Sequence, residues 1–310
     1  MPDTRIPPEL IEIMATTTSL TTTYAGELAG EICAKALQAN VSTQYVTFKP
    51  NVPYKSVARK IDDTVTFAAG TCDFTPTGTI TLTERILTLE EFQVQRQICK
   101  KDFFTDWSTA DVMSGRVNTQ IKDAIIERMV SGIAAANETI MWSGVNATAG
   151  QYDGFETLIT AAGSGAVSAG SGALSSTNII ATIWDVINTA SVGVKGAAEK
   201  PTLYMGQAAW ELYMQAQIAD GNGWYATAGP EVQKRFVGMY EIAVCPGMSA
   251  NTIIFAQKSN LMLGTWVENQ MNEVFVLDMS NIDGSQNVRY GARFYLGAQI
   301  CVGEDITYWK

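Results

Sequence analysis

One long helical period narrows the folds open to this chain more than any other feature. Val117, Ile121, Ile125, Met129, Ile133 and Ile140 fall close to one face, while Lys122, Asp123, Glu127, Arg128 and Glu138 lie elsewhere. The spacing predicts a helix over 117–142, and Gly144 behind it suits a left-handed stop. At 1.5 Å per residue that helix is roughly 39 Å long, the span of a small domain. A single apolar stripe of this length needs a sheet or another subunit beneath it.

Strand patterns flank the helix in sequence. In 89–99, Phe92, Val94 and Ile98 alternate with polar Glu91, Gln93, Gln95 and Gln97. From Val288 onward, Tyr290, Ala292, Phe294, Leu296, Ala298, Ile300 and Val302 share one parity, predicting a long half-buried strand. Val274–Leu277 is a shorter one. Residues 41–88 differ in character. Val46 and Phe48, Val65 and Phe67, and Ile80 and Leu82 alternate with polar neighbours, many of them Thr, which predicts strands with one wet face. Thr75-Pro76-Thr77-Gly78 marks a turn. This reads as a long antiparallel β-excursion with too few large apolar residues to be stable alone.

Residues 150–265 alternate helix and strand. Ser176 reads as the cap of a helix carrying Ile179, Ile183, Ile187 and Val194. Pro201–Met205 reads as a buried strand, Gln207–Ile218 as a helix, Gly221-Asn222-Gly223 as a loop, and Tyr240–Val244 and Thr252–Ala256 as short strands. The stretch from Thr157 to Trp184, filled with Gly, Ala, Ser and Thr, reads as a loop leading into the first of these helices and not as a membrane span. Lys100–Trp107 turns into short helices. At the start of the chain, 1–23 read as an arm with Pro2, Pro7, Pro8 and a Thr/Ser run, and 24–40 as a helix striped by Tyr24, Leu28, Ile32 and Ala36. The first ten residues, with Asp3 and Glu9, are the reverse of a secretory leader.

Composition removes much chemistry. The chain has 310 residues and no histidine. Ser-His-Asp and Cys-His mechanisms, His-containing zinc sites and blue copper all require an imidazole. The five cysteines, Cys33, Cys72, Cys99, Cys245 and Cys301, contain no CxxC and read as reduced core residues. No Walker loop is present, and no G-x-G-x-x-G follows a strand. Asp278–Gly284 lacks the twelfth-position glutamate of a calcium loop and reads as a turn. No cofactor or metal site is predicted. Acidic residues outnumber basic ones 31 to 21, so no basic nucleic-acid patch is expected.

Only 17% of residues are charged, against about 25% in a typical soluble domain. Hydrophobic content is an ordinary 46%. A surface so short of charge is covered by something else, which favours a self-associating structural protein. Residues 41–116 balance nine basic with nine acidic side chains, while 151–310 carry eight and fourteen. Lys49, Tyr54, Lys55, Arg59, Lys60, Asp62 and Asp63 in the excursion are the candidate inter-subunit contacts, its charges set against a neighbour's acidic surface; from charge alone an ordinary solvated hairpin is the other reading.

The order of elements resembles the tailed-bacteriophage major capsid proteins of the Hong Kong phage type, a fold shared with encapsulins. The stretches that carry the likeness are the excursion 41–88, the helix 117–142, the Gly/Ser-rich passage after it, Val237–Val244 through Lys258–Leu261, and Val288–Arg293 to Glu304–Tyr308. The resemblance implies an α+β fold divided as follows: an N-terminal arm and helix, 1–40; an extended β-hairpin loop, 41–88; a peripheral domain with a spine helix, 89–149; an axial α/β domain, 150–265; and strands returning to the peripheral domain, 266–310. It implies a non-enzymatic subunit that assembles into hexamers and pentamers of an icosahedral shell around double-stranded DNA. It also implies portal, scaffolding and decoration proteins as partners, no membrane, and a virion assembled in the host bacterial cytoplasm. Some relatives cross-link a loop lysine to a neighbour's asparagine, but no motif here fixes such a pair.

Three other readings remain open: an encapsulin-like compartment shell, a cofactor-dependent enzyme built on 150–265, and another virion protein of the tail-tube or decoration kind. The missing phosphate loop counts against the enzyme, and the spine helix against the β-rich virion proteins.

Overall fold

The structure is a computed structural model, and it describes residues 41–52, 55–63, 67, 69–70, 72, 79–99, 119–220, 236–266, 274–279 and 282–310. The expected arm and helix of 1–40, the short helices of 100–107 and the 221–223 loop lie outside these residues.

Two sheets and one long helix organise an α+β architecture. Strands β1 (Thr47–Lys49), β2 (Lys55–Asp63), β3 (Ile80–Thr88) and β4 (Glu90–Cys99) precede helix α1 (Thr119–Ser143). Then come α2 (Phe155–Thr160), β5 (Val167–Gly170), α3 (Ile179–Thr189), α4 (Val192–Gly196), β6 (Thr202–Met205) and α5 (Gln207–Ala219). The chain continues through β7 (Phe236–Val237), β8 (Tyr240–Val244), β9 (Ile253–Ala256), β10 (Leu261–Thr265), β11 (Val274–Asp278), β12 (Asn287–Ile300) and β13 (Thr307–Trp309).

The first sheet is built on β12. Along one side, β10 and β11 pair with it end to end, and β4 runs along the other side in an unbroken antiparallel register from Leu296↔Glu90 to Asn287↔Cys99. Helix α1 covers this sheet. Met129 is buried with Val288, Tyr290 and Ala292, and Ile126, Ile133, Val94 and Val276 close the cluster. The long helix therefore has the sheet that its stripe demands.

The second sheet is mixed, in the order β5-β13-β9-β6-β8-β7. Its strands β6 and β9 are buried almost throughout, with Leu203, Tyr204, Ile253 and Phe255 fully enclosed. A core of Ile183, Val186, Ile187, Ala209 and Tyr213 packs α3 and α5 onto it.

Several local expectations are corrected. Thr47–Lys49 does not belong to the excursion: it pairs in parallel with Met262–Gly264 at the edge of the first sheet. The stretch 157–184 is not a loop, since it holds the end of α2, all of β5 and the start of α3. Ser176 caps no helix. The N-cap position of α3 is Asn178, whose side chain makes no capping bond and accepts from the preceding Ser175 amide at 2.8 Å. Val194 lies in a separate helix, α4, whose cap is Ser191, accepting from the Val194 amide at 3.3 Å. Gly144 is not left-handed. It is a glycine because the backbone of Tyr152 and Ile140 approaches where a Cβ would stand. Of the strands expected to return to the first sheet, β11 and β12 lie there, but β13 inserts between β5 and β9 of the second. Cys72 is exposed, not core.

The sheets meet at the C-terminal end of α1. Trp142 is fully buried against Phe155 and Tyr204, with ring centroids at 5.4 and 5.6 Å. One turn back, Glu138 has no exposed surface. Its carboxylate accepts from the Ser42 amide at 3.1 Å, from the Ser42 hydroxyl, and from the Gly247 amide at 3.4 Å. Ser42 Oγ in turn accepts from Trp142 Nε1 at 2.8 Å. One buried acceptor thus ties together the segment leading into the hairpin, the helix, and the β8–β9 loop of the second sheet. Removing a buried charged acceptor leaves its donors unpaired. Glu138→Gln is expected to lower stability by about 1–3 kcal/mol, seen as a lower urea midpoint at unchanged slope.

Candidate self-association surfaces

Strands β2 and β3 form a two-stranded hairpin on their own, in register from Lys55↔Thr88 to Asp63↔Ile80. Side chains alternate across it. One face carries Val57↔Ile86, Arg59↔Glu84 and Ile61↔Leu82, and ends at Ile80. The other carries Ser56↔Leu87, Ala58↔Arg85, Lys60↔Thr83 and Asp62↔Thr81.

Sequence reasoning expects the apolar face of such a strand pair to be covered and the polar face wet. Within one chain the reverse holds. The polar face is turned to the protein's own body: Leu87 is buried, Arg85 donates to the Ser164 carbonyl, and Lys60 Nζ meets Glu304 Oε2 at 2.7 Å. The apolar face is open. Ile61 is 68% exposed, Ile80 65% and Leu82 62%, and Val57 and Ile86 are also exposed. So many large apolar side chains on one thin hairpin form a surface awaiting a partner.

Within one chain the charged residues singled out in the sequence stand as follows. Arg59 pairs with Glu84 at 2.8 Å across the hairpin. Lys60 is shared between Glu304 and Asp62, the latter at 3.2 Å. Lys49 is half-buried at the end of β1, opposite Gly264, and is not on the hairpin. Lys55 and Asp63 stand at the two ends of β2. Tyr54 lies outside the described residues. The charges of Arg59, Lys60 and Asp62 are thus paired within the chain, and the open face is apolar except for the Arg59–Glu84 pair that crosses it and the charged ends of β2. The alternation of Ile80 and Leu82 was the available signal. Period two identifies two faces but not which of them is covered.

Two further apolar surfaces are open. A groove of about 320 Å³ between α1 and the first sheet is lined by Phe92, Ile133, Ile140, Tyr152 and Phe294. At the edge of the second sheet, Met239 is 65% exposed in the β7–β8 turn, and Trp184 of α3 lies beside Gly238 of that turn.

Reactive chemistry is not assembled in the described residues. No group of His, Cys, Asp and Glu there could hold a metal ion. Burial pushes the Cys301 thiol up, against the pull of Lys49 and Arg85, so it is not an activated nucleophile. Burial likewise pushes the Tyr152 and Tyr204 hydroxyls far up. No described helix is long and apolar enough to cross a membrane.

The sequence matches no protein-family model. It also matches no curated protein. The fold is informative. The capsid of the native GTA particle matches with a TM-score of 0.61 at 12% identity, over 96% of this chain and 99% of that one. A chain from Gordonia phage Cozz matches with a TM-score of 0.63 at 13% identity, over 93% and 91%. The capsid of the Myoviridae phage XM1 matches with 0.61 at 12%, over 92% and 95%. The fold is therefore that of the tailed-phage major capsid proteins, across nearly the whole chain.

The base of the hairpin is its packed part. Leu87 and Leu89 are buried with Val52 against Tyr295, and Gly264 and Gly297 leave room for them and for the Thr88 carbonyl. Leu87→Ala is expected to cost about 2–5 kcal/mol. Its effect should concentrate in faster hydrogen exchange of β2 and β3 rather than of β12.

Proposed function

We propose that this chain is the structural subunit of an icosahedral phage capsid. Copies assemble through hexamers and pentamers into a shell around double-stranded DNA. The observation that carries the proposal is the open apolar face of the hairpin, on a fold shared with capsid chains. A closed shell of identical subunits needs several self-complementary edges, each modest and together large. The hairpin supplies one edge and is too thin to bury its own apolar face. A second copy of the chain is the partner whose surface matches it, because the groove beside α1 and the Trp184–Met239 patch are themselves apolar.

The low charge supports the same reading, since subunits that cover one another need less solvated surface. An acidic chain encloses DNA without gripping it, which fits contact that is weak and non-specific. Portal, scaffolding and decoration proteins, and assembly in the host bacterial cytoplasm, belong to this proposal as partners and place.

The test is the double substitution Ile61→Lys with Leu82→Lys, a directly opposed pair on the outer face. Both positions are exposed, so subunit stability should change by no more than about 0.5 kcal/mol each. Fast-sedimenting particles should disappear and leave folded subunits or small oligomers. Particles forming as in the parent protein, with the double variant shown to be folded, would overturn the proposal.

A further inference from the structure

The hairpin is held to its own body at two places of opposite character. At the base the contact is mainly apolar and uncharged: Leu87 sits among Val52, Leu89 and Tyr295, and beside it Gln299 Nε2 donates to the Ile86 carbonyl at 2.8 Å. Farther out it is polar. Lys60 reaches Glu304, and Arg85 reaches the Ser164 carbonyl. Between hairpin and body lies a cleft of about 450 Å³, walled by Thr81, Thr83, Gly163, Gly165 and Gly303. Apolar packing resists separation at any ionic strength, whereas an ion pair beside a polar cleft weakens as salt screens it.

The body side of this contact is rigid. Ser164 Oγ donates to the Ile159 carbonyl at 2.6 Å and accepts from the Ala166 amide at 3.2 Å. The Val167 amide donates to Ile306 at 2.9 Å, and Gly303 lies so close to the Ser164 backbone that no Cβ would fit. Any opening therefore moves the hairpin. The amine of Lys60 is not committed to Glu304 alone, because Asp62 of its own strand lies 3.2 Å away. Asp62 competes for the same cation and adds negative charge facing Glu304 and Asp305.

We infer that the hairpin is a lever with an apolar pivot at Leu87 and an ionic latch made by Lys60 with Glu304 and by Arg85 with Ser164, so that the ionic environment sets the angle at which the apolar face is presented. The latch belongs to the single chain and stands whether or not that chain builds a shell.

Spin labels at Leu82→Cys, on the outer face, and Ala162→Cys, beside the dock, report the angle as a distance. The measurement uses the full-length unassembled chain with its own cysteines replaced. In about 0.01 M salt the distance distribution should be single and narrow. In about 1 M salt, where the screening length falls from about 30 Å to about 3 Å, a longer component should appear. Glu304→Gln should raise the open-to-latched ratio roughly two- to fivefold at low salt. Asp62→Asn should lower it, because it removes the competitor. That opposite sign distinguishes a latch from a general loss of structure. A distribution unmoved by salt, or Asp62→Asn and Glu304→Gln shifting it in the same direction, would overturn the inference. The salt titration needs no substitution in the latch, so it decides even if a latch variant fails to fold.

Discussion

A carboxylate with no exposed surface is the joint on which this architecture depends. Glu138 is on the long helix, its donor Ser42 is on the segment that leads into the hairpin, and its donor Gly247 is on the β8–β9 loop of the second sheet. Trp142, one turn on, closes the network through Ser42 and packs between Phe155 and Tyr204. Around it, one apolar core runs without a break from Leu261, Leu263 and Ile300 of the first sheet to Ala243, Ile254 and Ala256 of the second. The two sheets are thereby fixed relative to the helix, and the hairpin starts from a fixed point. The C-terminal strand reinforces the joint, because β12 completes one sheet and β13, a few residues later, is inserted into the other. Lys310 then reaches buried Glu156 at 3.5 Å.

A firmly jointed body that presents one apolar hairpin face suits the proposed repeating subunit. Close packing lets identical copies meet at reproducible angles, and the hairpin carries apolar surface that the described residues leave open. The ion pairs Arg59–Glu84 and Lys60–Asp62 leave this element with little unbalanced charge, so like charges do not oppose the approach of a neighbour.

Much of this was legible in the sequence where a period was long and uninterrupted. The stripe from Met129 to Ile140 and the parity from Val288 to Ile300 each mark one element and its buried face, since periods of 3.6 and 2 leave little choice over such lengths. Short elements were not legible. Strand β5, Val167–Gly170, sits among glycines and serines that read as loop. It forms because Ile306 and β13 supply hydrogen-bond partners from more than a hundred residues away. The destinations of β1 and β13 were hidden for the same reason, since three residues carry no periodicity. Gly144 misled because a glycine after a helix signals either a left-handed stop or a close approach, and only the neighbouring backbone of Tyr152 decides. The intra-chain partner of the hairpin cations was not legible through charge. Lys60 and Asp62 read as groups held out to a neighbour, and within the chain Lys60 meets Glu304, 244 residues away. The open apolar face was not legible, because period two marks two faces and not which of them is covered among the described residues.

The central claim is that this open face is closed by another copy of the same chain. A cryo-electron-microscopy reconstruction of the purified particles tests it most directly. The account predicts closed icosahedral shells in which Val57, Ile61, Leu82 and Ile86 of every subunit lie against a neighbouring subunit. Shells whose hairpins point into solvent, or a protein that stays a dispersed monomer or dimer at every concentration, would contradict it.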